Sequence, residues 1–197
     1  RWSLPELKLL ELNGSGKLIA GISEGESLEC GNNGSGYLSL DTVYVDYLYL
    51  SNSGSGHVEI EKIYAGEVTM VQSGSGTIDN EEIYESEEIT IKHSSSGNIR
   101  SIVVGGLNVN AILSGSGRID LLGDVHKVDY TLNSSGRIDA LDLMSYDART
   151  TSSGSGLIYV WATEYLEATV SGSGNILYRG NPQTNFRVTG SGSIRPY

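Results

Sequence analysis

One period runs through the whole chain. Aligned on the second glycine of Ser-Gly-Ser-Gly and its close variants, Gly16, Gly36, Gly56, Gly76, Gly97, Gly117, Gly136, Gly156, Gly174 and Gly192 fall into one column, with a step of about twenty residues. A fixed period of this length marks a stack of like units, each covering its neighbour's apolar face. The residue before each glycine is serine, from Ser15 to Ser191, and two residues after it stands an apolar side chain, from Leu18 to Ile194. Upstream of the turn, pairs such as Leu48/Leu50, Val68/Met70, Ile89/Ile91, Val109/Ala111 and Val128/Tyr130 alternate with polar residues. That is the period-two pattern of a half-buried strand, and it disfavours helix.

The reading is all-β: a single-stranded, right-handed parallel β-helix, or β-solenoid, of about ten coils. Each coil comprises a strand, a tight glycine turn, a second strand and a more variable connection. Parallel pairing at about 4.8 Å makes a rod of roughly 45 Å, with the column glycines in a straight row. Right-handed winding follows from the strong bias of parallel crossovers. Glycine in the turn is expected for its access to positive φ, and the stacked serines for a hydroxyl chain along the rod. Four residues before the glycine, Asn32, Asn52, Gln72 and His93 form an inward polar ladder that gives way to Leu113, Leu132, Val170 and Val188. Length changes fall opposite the turn: one extra residue lies between Ile83 and Ile89, and Ala162 to Tyr165 reads as shortened. One domain spans 1–197, with 1–12 as an N-terminal cap or entry segment built on Trp2, Leu4, Pro5 and Leu7, and 13–197 as coils. The N-terminal coil should be the least regular, because a solenoid end exposes strand edges.

A formal charge of -11, from 24 acidic and 13 basic residues, repels a phosphate backbone and an anionic bilayer, which argues against nucleic acid as a partner. No stretch near twenty residues is uniformly apolar, so no membrane span is expected. Cys30 is the only cysteine, so stability must come from packing.

Two clusters carry candidate chemistry. Asp120 and Asp139 occupy the same outward position on consecutive coils, with Arg118 and Arg137 two residues earlier. Stacked carboxylates near 5 Å match the spacing of a retaining glycosidase pair, and a guanidinium could hold a uronate; the plainer reading is a self-neutralising ion-pair ladder. Tyr44, Tyr64 and Tyr84 recur at the period and should stack, near Tyr47, as either a binding platform or a structural aromatic ladder. No metal site is expected. The twenty-residue period does not suit the nonapeptide calcium repeat. The run Glu81, Glu82, Glu85, Glu87 and Glu88 reads as a solvated loop, and His57, His93 and His126 lie in different columns. No cofactor motif is present: the Ser-Gly-Ser-Gly turns lack the helix that a phosphate-cradling loop requires.

The segment from Ala162 to Pro182, with Val170-Ser171-Gly172-Ser173-Gly174-Asn175-Ile176 at its centre, and the closing Gly190-Ser191-Gly192-Ser193-Ile194, resemble the family described as "putative auto-transporter adhesin, head GIN domain". The resemblance implies a right-handed β-helix in an exported protein of Gram-negative bacteria, and supplies no catalytic or binding residue. Two functions follow as expectations: a non-catalytic, exported structural or adhesin-like module of the cell envelope, with a surface glycan or protein as partner, or a polysaccharide-active lyase or hydrolase built on a β-helix.

Overall fold

The computed structural model describes residues 7–197. Its strands in chain order are β1 (Leu9–Leu12), β2 (Lys17–Glu24), β3 (Ser27–Asn32), β4 (Tyr37–Asn52), β5 (His57–Gln72), β6 (Thr77–Tyr84) and β7 (Glu88–His93). They continue as β8 (Asn98–Leu113), β9 (Arg118–Leu132), β10 (Arg137–Ser152), β11 (Leu157–Val170), β12 (Asn175–Arg179), β13 (Gln183–Val188) and β14 (Ser193–Pro196). All pairings are parallel and join each coil to the next, as a β-solenoid requires. The residue after each column glycine pairs with its counterpart one coil on, as in Tyr37 to His57, Arg118 to Arg137 and Asn175 to Ser193. The ten turns enclose nine full turns of chain, with partial coils at both ends.

The expected connection between the two strands of a coil is itself strand. In β4 the inward-outward alternation breaks twice, where Thr42 and Val43 both face inward and where Asp46 and Tyr47 both face outward. A strand can shift phase in this way only by bending. Each coil therefore has three sides, in β4 Tyr37–Asp41, Val43–Asp46 and Tyr47–Asn52, closed by the glycine turn. Stacked coils bend together, so the parallel ladder continues round both corners. The apolar column after the turn is buried from Leu38 to Ile176, as are all five alternating pairs upstream.

The turn glycines serve a purpose other than the expected one. Positive φ among glycines occurs at Gly105, Gly123 and Gly180, none of them in the column. The column glycines are instead pressed against the coil beneath: a Cβ on Gly56 would meet Gly36 O at 2.2 Å, and one on Gly76 would meet Gly56 O at 2.0 Å. The turns carry the ladder too, with Gly56 N donating to Gly34 O (3.1 Å) and His57 N to Gly36 O (2.9 Å).

The column serines, such as Ser35 and Ser55, face solvent. In four turns the hydroxyl bond that links coils lies one or two positions earlier: Ser53 donates to Asn33 Oδ1 (2.8 Å), Ser153 to Asn133 Oδ1 (2.9 Å), and Ser95 and Ser134 to the carbonyls of Gly74 and Gly115. In the last turn it lies two positions later, where Ser193 donates to Asn175 Oδ1 (2.7 Å). The inward polar ladder is fully buried and holds the turn from inside. Asn32 Nδ2 donates to Gly36 O (2.8 Å) and His57 O (3.2 Å), Asn52 Nδ2 to Gly56 O (2.9 Å) and Thr77 O (3.1 Å), and Gln72 Nε2 to Gly76 O (2.9 Å). His93 continues it, its Nε2 2.6 Å from Gly97 O. In later coils Leu113 Cδ2 and Leu132 Cδ2 fill the corresponding space under Gly136 and Gly156.

The third side and turn keep one length. His57 lies ten residues beyond Tyr47, as Arg137 does beyond Lys127 and Asn175 beyond Tyr165. All the variation falls between the first side and the third. The extra residue places Glu85 at φ +49° and splits that coil into β6 and β7. Buried Ser86 steadies the break by donating to Ala65 O (2.6 Å). The shortening lies earlier than the sequence suggests. Register passes from Ala140↔Val160 directly to Met144↔Trp161, whereas Ala162–Tyr165 is one residue longer than its partner Ser145–Asp147.

Both terminal coils are split, into β2 and β3 at one end and β12 and β13 at the other. Leu9–Leu12 already pairs with Glu29–Asn32. Trp2, Leu4 and Pro5 of the expected cap lie outside the described residues, and Leu7 is exposed. Cys30 is completely buried, and burial pushes its thiol up to about 12, so it packs as a small apolar side chain.

Candidate functional site

The first side brings Arg118, Arg137, Asp120 and Asp139 together as their spacing suggests. Asp139 pairs with Asp120, and Arg137 with Arg118, in one ladder. Arg118 Nε lies 2.6 and 2.7 Å from the two Asp120 oxygens, its Nη2 is 3.2 Å from Asp139 Oδ2, and Arg137 also donates to Asp139. Arg137 lies over the Tyr159 ring at 4.3 Å. A hollow of about 250 Å³ borders Arg100, Asp120, Asp139 and Asp142. Every charge of the four meets an opposite one, so the arrangement neutralises itself along the ladder. Asp139→Asn should leave Arg137 without its carboxylate and Arg118 with Asp120 alone, and cost about 1 kcal/mol, the upper range for partly exposed pairs. A thermal melt should show a fall of about 2–4 °C, smaller in high salt.

On the second side Tyr44, Tyr64 and Tyr84 stack, with centroids 4.7 Å apart in both pairs and planes within 10°. That separation exceeds ring-to-ring contact of about 3.5 Å, so the stack is offset, the favoured arrangement. Tyr64 has a ring on each face, so it presents mainly its edge and hydroxyl. Tyr84 donates to Glu82, and this bond is the first cause holding its phenol up at about 12. A hollow of about 320 Å³ lies beside the row, lined by Val45, Tyr64, Ala65, Gly66, Tyr84 and Glu85.

Tyr47 sits across the second corner from this row. With Tyr49 it lines another hollow of about 320 Å³ on the third side, together with Glu29, Glu67 and Thr69. Sequence reasoning passed over that pairing. The signal was available, because Tyr47 and Tyr49 alternate with inward Leu48 and Leu50.

The remaining candidates are dispersed. His57 stacks on Tyr37 (5.3 Å, 1°), His93 belongs to the buried ladder, and His126 tilts against Tyr146. In the acidic run Glu82 is taken by Tyr84, Glu85 forms the bend, and Glu88 pairs with Glu67 and Asn108 on the third side. Among the described residues no three His, Cys, Asp or Glu side chains converge as a metal site.

The family described as "Putative auto-transporter adhesin, head GIN domain" matches residues 2–112 and again 84–182. The chain belongs to that family. The overlap of the two matches is what a periodic head GIN rod produces, since one set of coils superposes on another. Solved structures share the fold. A "putative lipid binding protein" from Parabacteroides distasonis ATCC 8503 aligns with a TM-score of 0.67 at 20% identity, over 100% of this chain and 94% of its own. A "putative adhesin" from the same organism gives 0.67 at 18% with the same coverage, and one from Parabacteroides merdae ATCC 43184 gives 0.65 at 16%. No curated protein matches the sequence. At these identities the likeness to the solved structures carries the fold alone.

Proposed function

We propose that this head GIN domain is a non-catalytic, exported module of the bacterial cell envelope, a single solenoid domain that binds a surface glycan or protein in the manner of an adhesin. The observation that carries the reading is the row Tyr44, Tyr64 and Tyr84, exposed at Tyr44 and Tyr64 and half-buried at Tyr84, beside a surface hollow. Aromatic side chains with free edges and hydroxyls are over-represented where proteins meet partners. The family's adhesin description supports the same reading. The ion pairs commit both Asp120 and Asp139 to guanidinium groups, which argues against the alternative, a polysaccharide-cleaving enzyme that uses this pair.

The test is a binding screen of the purified protein against glycans, envelope and host-surface proteins, and lipid vesicles, the last because one structural neighbour is described as lipid binding. Tyr64→Ala should weaken the retained partner about tenfold, while the melting temperature falls by less than about 4 °C, since one exposed ring contributes little to the fold. A large loss of melting temperature with no change in binding would make the row structural. Cleavage of any glycan that Asp120→Asn or Asp139→Asn abolishes would overturn the non-catalytic reading.

A further inference from the structure

Two hollows lie on the third side, along the same pair of outward columns. The first contains Tyr47 and Tyr49; the second, about 190 Å³, lies among Glu88, Asn108, Asn110, Lys127 and Asp129. The register makes them one furrow. Tyr47, Glu67, Glu88, Asn108 and Lys127 follow one another in one column, and Tyr49, Thr69, Thr90, Asn110 and Asp129 in the next. Four steps of about 4.8 Å give a length of roughly 19 Å, and alternate residues on a strand set the columns about 7 Å apart.

Tyr47 and Tyr49 differ from the stacked row in their neighbours. Tyr47 lies between Ser27 and Glu67, and Tyr49 between Glu29 and Thr69, so no ring occupies the adjacent ladder positions. Tyr47 is 55% exposed. An uncovered ring face is electron-rich and attracts weakly positive C–H groups, such as those on one face of a pyranose. Beyond the tyrosines the furrow supplies carboxylates that accept from hydroxyls and amides that both donate and accept. Burial first, and the Glu67 carboxylate second, push the Glu88 carboxyl up, so this like-charged pair gains from neutral hydroxyl donors. Glu29, Glu67, Glu88 and Asp129 outnumber Lys8 and Lys127 along the furrow, which repels uronates and sulfated sugars. Its width suits a single file of sugar rings, and its charge suits poorly the core of a protein interface, where Glu, Asp and Lys are depleted.

We propose that this furrow binds an extended neutral oligosaccharide, with sugar rings against Tyr47 and Tyr49 and hydroxyls on Glu67, Glu88, Asn108 and Asn110. The inference rests on the adhesin-like reading and names a ligand class and a site separate from the Tyr44 row.

Calorimetric titration with cello-, xylo-, manno- and chito-hexaoses, with polygalacturonate and heparin as acidic comparisons, tests it. At least one neutral hexamer should bind more tightly than either acidic glycan. Tyr47→Ala should weaken it about tenfold and Asn110→Ala several-fold, whereas Tyr47→Phe should stay within about twofold. Melting curves establish that each variant is folded, and the retained affinity of Tyr47→Phe separates a ring contact from a folding defect. Absence of neutral hexamer binding, preference for the acidic glycans, or binding indifferent to Tyr47→Ala overturns the furrow. If Tyr64→Ala abolishes binding and Tyr47→Ala does not, the furrow fails and the adhesin-like reading stands. If no glycan, protein or vesicle binds, both fail.

Discussion

Gly76→Ala is expected to lower the melting temperature by about 6–12 °C, while Gly16→Ala, in the same column of the same repeat, leaves it unchanged or slightly raised. At Gly76 an added Cβ would lie 2.0 Å from Gly56 O and 2.7 Å from Asn52 Nδ2. That oxygen cannot retreat freely, because it accepts from Thr77 N at 3.0 Å. Relief requires moving one turn off the next, and forced overpacking of this kind costs about 3 kcal/mol, or about 2–4 °C for each kcal/mol in a chain of this size. At Gly16 nothing lies within 4 Å of the added carbon, and φ is not left-handed, so the substitution only restricts the unfolded chain. Equal effects at the two positions, read by thermal melts, would show that glycine is required by the turn's own conformation and not by stacking.

Tyr130→Ala is expected to cost about 4 kcal/mol, typical of removing a large buried ring. Tyr130 heads the fully buried side chains by size, and its hydroxyl has no hydrogen-bond partner. Burial drives its phenol upward, which keeps the group neutral. The core column here changes from Ala111 to Tyr130 to Thr150, so the ring fills volume that small neighbours leave. Tyr130→Phe retains the ring and removes the orphaned hydroxyl, and it should raise stability by about 1 kcal/mol. Chemical denaturation of the two variants checks both signs. A phenylalanine variant less stable than the parent would mean that the hydroxyl is bonded within the core.

The period of the Ser-Gly turn made the fold legible, because a side chain repeated every coil at one offset must see the same surroundings in each. The inward columns, the Asn32-to-His93 ladder and the stacking of Tyr44, Tyr64 and Tyr84 follow from that alone. Other features depend on distances between coils, which a linear period does not encode. The reason for glycine is one: positive φ and a carbonyl at 2.0 Å select the same residue. The bonding hydroxyls are another, since Ser53 and Ser55 both lie in the repeat and only the direction of the turn decides which one reaches the coil below. The corner at Asp46 and Tyr47 hid the candidate furrow. Tyr44 and Tyr47 are close in sequence, yet the bend sends them to different sides, and hydropathy shows that bend only as a lapse in alternation.

The confinement of length change to one side has an evolutionary consequence. One residue gained at Glu85, or three lost between Val160 and Trp161, leave the turn, the buried ladder and the ten-residue return path of the coil intact. Selection can therefore lengthen, shorten or recolour that flank coil by coil without renegotiating the scaffold. Descendants of one ancestral rod can diverge in what they touch while remaining superposable in how they are built.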